Sequence, residues 1–241
     1  MIDGNRPPVI GIIGGSGVYD IEGLTNRRWM CMQSPFGEPS DELLFGELNG
    51  QQMVFLPRHG RSHQVPPTDI NSRANIDVLK RAGVTDVISV SAVGSLREHL
   101  RPGVFVIVDQ FIDQTFARAK SFFGTGLVAH VSMGHPVCGR LGDHIEAAAR
   151  EARIEVVRGG TYLAMEGPQF SSLAESELYR SWNCDVIGMT NMPEAKLARE
   201  AELCYATVAM VTDFDCWHPN HDAVNVDAII KVLFANADKA R

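Results

Sequence analysis

Val9-Ile10-Gly11-Ile12-Ile13-Gly14-Gly15-Ser16-Gly17 is the stretch on which the fold turns. A short apolar run rich in β-branched residues breaks into a glycine-rich loop. That pattern predicts a buried first strand followed by a tight turn. The same grammar recurs downstream. Further strands are predicted at 52–56, 86–91, 104–108, 156–165, 186–189 and 205–211, several of them ending in small polar residues. Between them, apolar periodicity predicts helices at 71–82, 141–152, 172–182, 193–200 and 223–235. Asn71 or Ser72 caps the first of these and Gly83 ends it. Pro193 suits a first helical turn. Residues 114–136 carry no period and read as a long functional loop. Strands alternating with helices predict an α/β fold, a central mixed β-sheet flanked by helices. Ligands of such folds bind beyond the carboxyl ends of the strands.

The chain has 241 residues, 45% of them hydrophobic, which suits a single domain spanning 1–241. Its 22 basic and 29 acidic residues leave a net charge of −7 and no basic footprint, so no nucleic-acid partner is expected. An anionic substrate must be drawn in by a local pocket, against the overall field. No targeting leader is legible, and no apolar run approaches the roughly 20 residues that span a membrane. A cytoplasmic protein without a membrane partner is expected. The five cysteines are odd in number and contain no CxxC. Reduced thiols, with no disulfide framework and no zinc ribbon, are the expectation.

The chemistry-bearing residues sit where strands end. Gly14-Gly15-Ser16-Gly17 reads either as a plain tight turn or as a cradle whose backbone N–H groups converge on an anion. Arg58-His59 follows a strand directly. It is either a solvated pair or a fork of donors suited to phosphate. The spacing of His59 and His63 matches helical metal ligands, but Gly60 and Pro66-Pro67 speak against a helix. Ser91-Ala92-Val93-Gly94-Ser95 is either turn chemistry or a small-residue ligand shelf. Phe170 and Met189 are core side chains or the walls of a heterocycle site. Most informative is Thr212-Asp213-Phe214-Asp215-Cys216-Trp217. Two carboxylates two residues apart form a solvated turn, a cation site with His218 and His221, or an enclosed acid. In an enclosed site one of them must hold a proton near neutral pH.

Taken in order, IGIIGGSG, SPFGEPSD (34–41), RHGRSH, NSRANI, SAVGSLRE, DQFID, EGPQFSS, GMTNMPE and TDFDCW resemble the trimeric purine nucleoside phosphorylase family over nearly the whole chain, closest to its methylthioadenosine phosphorylases. The resemblance implies the nucleoside phosphorylase fold and a homotrimer with sites at its interfaces. It implies a phosphate site of Ser16, Arg58, His59, Ser91 and Thr190. Ala92 and Met189 would line the ribose, and Phe170 the purine. Asp213, with Asp215 beside it, would serve as the catalytic acid at the base edge. His130 would reach a neighbouring subunit's 5′ pocket, whose apolar wall would be Val226, Ile229 and Ile230. Inorganic phosphate would be the co-substrate, with no metal and no organic cofactor.

Relatives that prefer 6-oxopurines resemble this chain but carry asparagine at Asp213 and glutamate at Ser171. Both differences imply a 6-aminopurine here, and so phosphorolysis of 5′-methylthioadenosine. Two features lean the other way. Gly188 matches the 6-oxopurine enzymes, and the sequence stops at Arg241, where some relatives continue with a segment covering a neighbour's methylthio pocket. The alternatives are a phosphorylase of 6-oxopurine nucleosides or methylthioinosine, and a nucleoside-binding protein without catalysis.

Overall fold

The computed structural model describes residues 7–15 and 21–219. Strand β1 (Ile10–Gly14) lies between β4 (Gln51–Pro57) and β5 (Asp86–Ser95), parallel to both. Its position explains its composition. Ile12 and Ile13 are buried, and a side chain at Gly11 would start 2.8 Å from a Val84 methyl. Two strands unforeseen in the sequence extend this edge: β2 (Thr25–Met30) and β3 (Leu43–Leu48). β3 turns into β4 through Asn49-Gly50, both with positive φ (49° and 82°), the geometry a two-residue hairpin demands. β2 is mostly exposed, so it carries no apolar alternation to betray it.

The sheet forks at β5. For most of its length β5 is flanked by β1 and by β11 (Cys204–Asp213), in parallel. At its end, Gly94 and Ser95 turn to a third partner, pairing antiparallel with Ile187 and Val186 of β10 (Val186–Gly188). One limb then runs from β10 to β9 (Thr161–Ala164) and β7 (Gln110–Asp113). The other runs from β11 to β6 (Phe105–Val108) and β8 (Val156–Arg158). Parallel and antiparallel pairs both occur, so the sheet is mixed, as expected. The single strand predicted over 156–165 is divided at Gly159-Gly160, because its halves serve different limbs.

Among the described residues four helices flank the sheet: α1 (Ser72–Arg81), α2 (Gly139–Glu151), α3 (Leu173–Ser181) and α4 (Asn191–Glu200). The Asn71 side chain accepts the Ala74 N–H and so caps α1. Ser172 and Glu175 close a reciprocal capping box on α3. Met192 is extended, so regular helical backbone in α4 begins at Pro193. The core packs Ile13, Leu56, Ile76, Val87, Val106, Leu197 and Ala209 between sheet and helices. Among the described residues no helix is long and apolar enough to cross a membrane. The helix predicted at 223–235 lies outside them.

The cysteine expectation is corrected. Cys138 and Cys204 form a disulfide, with Cα atoms 5.3 Å apart. Cys138 precedes α2 and Cys204 opens β11, and the Cys138 N–H donates to the Tyr205 carbonyl at 2.8 Å. The fold seats the two thiols side by side, although 66 residues separate them in sequence. Cys31, Cys184 and Cys216 are free thiols.

Candidate active site

Where the limbs of the sheet part, a cleft of about 260 Å³ opens between the ends of β5, β10 and β11. His59, Ala92, Phe170, Met189, Thr190, Asp213 and Asp215 all line it. Seven candidates from five stretches of chain therefore share one site.

One end of the cleft gathers hydroxyls. The Ser91 Oγ lies 3.0 Å from Thr190 Oγ1 and 3.2 Å from the Tyr162 hydroxyl. His59 turns its Nδ1 to the Val65 carbonyl at 2.9 Å. Burial pushes the His59 pKa down to about 4, and the Arg58 charge adds to the effect against the Val65 hydrogen bond. The ring is neutral near pH 7, so Nδ1 carries the proton and Nε2 is an acceptor. His63 stacks on it with ring centroids 4.6 Å apart.

Arg58 does not join this wall. Its side chain is held beneath the cleft at 1% exposure. Nε donates to Glu194 Oε2 at 2.9 Å, Nη1 to the Val90 carbonyl at 3.0 Å, and Nη2 to Ser89 Oγ at 2.6 Å. A guanidinium this deep must be paired, and Glu194 pairs it. The strand that ends at Pro57 explains the placement, since it delivers Arg58 to the floor and His59 to the wall. Ser16 lies outside the described residues.

Asp213 and Asp215 give the same cleft its acidic lining. Asp213 Oδ1 accepts the Asp215 N–H at 2.7 Å, and Oδ2 accepts the Thr212 hydroxyl at 2.7 Å. Burial raises the pKa of Asp213 against these two hydrogen bonds, and the charge of Asp215 adds the smallest part. Burial raises Asp215 as well. Asp213 lies against Gly94, where a side chain would begin 3.0 Å from Oδ1 and would push the carboxylate aside by a few tenths of an ångström. Trp217 Nε1 donates to the Ser95 carbonyl at 2.7 Å and pins the acidic run to β5.

Phe170 offers a half-exposed ring to the cleft. Ser171 stands behind it, its hydroxyl 3.7 Å from Met165 Sδ. His130 is exposed on the 114–136 loop and is not in the cleft wall. Val226, Ile229 and Ile230 lie outside the described residues. Among the described residues no three His, Cys, Asp or Glu side chains gather as metal ligands.

Tyr162 escaped the sequence reading because it looks like any strand aromatic. It also accounts for Gly188. A side chain there would begin 2.0 Å from the Tyr162 hydroxyl, so Gly188 is the space that Tyr162 fills on its way to Ser91. Arg118 and Glu166 were missed too. Arg118 sits in an aperiodic loop, and Glu166 was read only as part of a motif.

The chain matches the model of the Phosphorylase superfamily over residues 9–238. It belongs to the phosphorylase superfamily. Among superfamily members it is 68% identical to the S-methyl-5′-thioadenosine phosphorylase of Rhodospirillum rubrum, over all of this chain and 82% of that protein. Identity to the Cereibacter sphaeroides S-methyl-5′-thioadenosine phosphorylase is 65%, over 97% of this chain and 80% of the relative. The fold superposes with a TM-score of 0.93 on a methylthioadenosine phosphorylase from an antarctic soil metagenomic library, at 52% identity, covering 98% and 83% of the two chains. It also superposes, with a TM-score of 0.90 and 36% identity, on the methylthioadenosine phosphorylase from Schistosoma mansoni in complex with adenine, covering 97% and 88%. The nucleoside phosphorylase fold read from the motifs is therefore the fold of this phosphorylase-superfamily chain.

Proposed function

We infer that this protein uses inorganic phosphate to cleave the glycosidic bond of 5′-methylthioadenosine, giving adenine and 5-methylthioribose 1-phosphate. The observation that carries this is the polarity of one cleft. A half-buried carboxyl, Asp213, lines the same cleft as the Thr190 hydroxyl, which Ser91 pairs from behind the wall.

Phosphate is received by Ser91 and Thr190. Arg58 backs the site from beneath. A neutral His59 Nε2 suits the one proton that monohydrogen phosphate carries. As the bond from C1′ to the purine lengthens, positive charge grows on the sugar and the dianion stabilises it electrostatically. Asp213, protonated, gives its proton to N7 and accepts from the 6-amino group. Net, a phosphate oxygen bonds C1′, the glycosidic bond breaks, adenine leaves with the proton from Asp213, and the proton that phosphate loses restores Asp213 through solvent. Nothing is oxidised or reduced, and the scheme calls on no cofactor.

The active assembly is a homotrimer. In its support, the 114–136 loop exposes Phe116 (83%), Leu127 (67%) and Val128 (71%), a concentration of apolar side chains that suits burial against another subunit. His130 is carried outward on the same loop. Gly188, the feature that leaned toward 6-oxopurines, is accounted for by Tyr162.

A panel of adenine and hypoxanthine nucleosides, each with 5′-hydroxyl and 5′-methylthio groups, tests the substrate. 5′-Methylthioadenosine is expected to give the highest kcat/KM, with cleavage only when phosphate is present. Preference for the hypoxanthine nucleosides overturns the base assignment, and cleavage in phosphate-free buffer makes the protein a hydrolase.

A further inference from the structure

Arg118 leaves the exposed 114–136 loop and plunges inward, its side chain only 3% exposed. Nε donates to Glu166 Oε1 at 2.8 Å. Nη1 donates to two carbonyls of the turn before α4, Met189 at 2.6 Å and Met192 at 2.8 Å. Nη2 donates to the carbonyl of Glu166 at 2.6 Å. Glu166 in turn accepts the N–H groups of Phe116 and Ala117, at 2.6 and 3.0 Å, and the Thr68 hydroxyl at 3.0 Å. Burial alone raises a carboxyl, yet these donors hold Glu166 down at about 2. One buried ion pair thus ties four segments: the turn at Thr68, the loop at 116–118, residues 165–166, and the turn at 189–192.

Three of the four segments contribute to the cleft, through Pro67, Met165, Met189 and Thr190. Arg118 itself does not line it. Its planar fork is the only described link that grips both ends of the 189–192 turn, where Thr190 meets Ser91. Lysine has the charge but a single nitrogen, which cannot hold Glu166 and both carbonyls in one plane.

We propose that Arg118 is a positioning residue for phosphate binding, setting the Met189–Thr190 wall through the Met189 and Met192 carbonyls while Glu166 holds its guanidinium in place. This rests on the phosphorolysis inferred above. It also makes the first part of the exposed loop a structural support of the phosphate end of the cleft.

The test is Arg118→Lys and Arg118→Ala in the full-length protein, with KM for inorganic phosphate, kcat and melting temperature measured side by side. Arg118→Lys is expected to raise the phosphate KM at least tenfold while kcat at saturating phosphate changes less than threefold. Guanidinium ion, added at millimolar concentration, is expected to recover at least fivefold of the kcat/KM for phosphate that Arg118→Ala loses. A role in folding alone would lower the melting temperature and leave these ratios untouched. If Arg118→Lys keeps the wild-type phosphate KM, or if guanidinium restores nothing to a folded Arg118→Ala, the proposal is overturned. Should Arg118→Ala fail to fold, the Arg118→Lys measurement decides alone. A wild-type protein without phosphate-dependent cleavage overturns the functional reading itself and takes this proposal with it, whereas a cleaving wild type beside an unaltered lysine variant overturns the proposal only.

Discussion

The hydroxyl of Ser91 lies 3.0 Å from that of Thr190, although 99 residues separate them. Ser91 comes from the middle of β5, and Thr190 from the turn between β10 and α4. They meet because β10 pairs with the far end of β5. This pair of hydroxyls is therefore a product of sheet topology, and its disturbance can be predicted from the elements that hold it.

Gly188→Ala tests that dependence. The added methyl collides with the Tyr162 hydroxyl, which must retreat from Ser91. Overpacking of this kind costs about 1–3 kcal/mol. We expect a phosphate KM raised roughly tenfold, about 1.4 kcal/mol, with a smaller change in nucleoside KM. Steady-state kinetics with phosphate varied at saturating nucleoside will show it.

The two carboxylates should be unequal. Loss of the acid in Asp213→Ala is expected to lower kcat/KM for 5′-methylthioadenosine by about 10²–10⁴. Burial, more than the neighbouring charge, raises the Asp213 pKa, so Asp215→Asn should leave most of that rise in place. A loss under about tenfold is expected for it if only the charge matters. Equal losses in both variants would show that the pair acts as one acid.

The low pKa of His59 has a consequence for stability. Folding favours its neutral ring, so the unfolded chain takes up the proton first as pH falls. Stability rises with pH between about 4 and 6.5 and is lost in the other direction across that window. A loss of roughly 2–3 kcal/mol corresponds to a fall of roughly 5–10 °C in Tm. His59→Gln should flatten this part of the Tm–pH profile. Glu166 and Asp113, both held near 2, act only at lower pH, where their contribution is lost as the carboxylates protonate.

Cys138→Ser should destabilise without touching catalysis, since neither bridged cysteine lines the cleft. Closing a loop of this length is worth about 4 kcal/mol by chain entropy. A Tm lower by roughly 8–16 °C is expected, with kcat and both KM values unchanged at 25 °C.

Much of this was legible beforehand where local chemistry and global role agree. β1 announced itself because a run buried on both faces is apolar throughout. Asn71 announced a helix start because a cap acts on its own backbone. The acidic pair at 213 and 215 could be singled out because two carboxylates at a strand end need a reason. Other features depend on partners that no window of sequence contains. The exposed β2 has no pattern of its own. Cys138 looks like a free thiol until β11 arrives beside it, and Arg58 looks like a ligand-facing fork until Glu194 claims it from the opposite half of the chain. Arg118 lies in a loop whose lack of period says only that it is not a helix.

The fork at β5 leaves a last consequence. Ser91, at the phosphate end, and Gly94, on which Asp213 rests, are three residues apart on one strand. At about 3.3 Å per residue, that is roughly 10 Å of extended backbone. The strand is a ruler, and the span from the Ser91 hydroxyl to the seat of Asp213 is marked on it in amino acids. Lengthening it by one residue would not merely loosen the site. It would turn every later side chain to the other face of the sheet, which is why this molecule can change what it holds at either mark more easily than the distance between them.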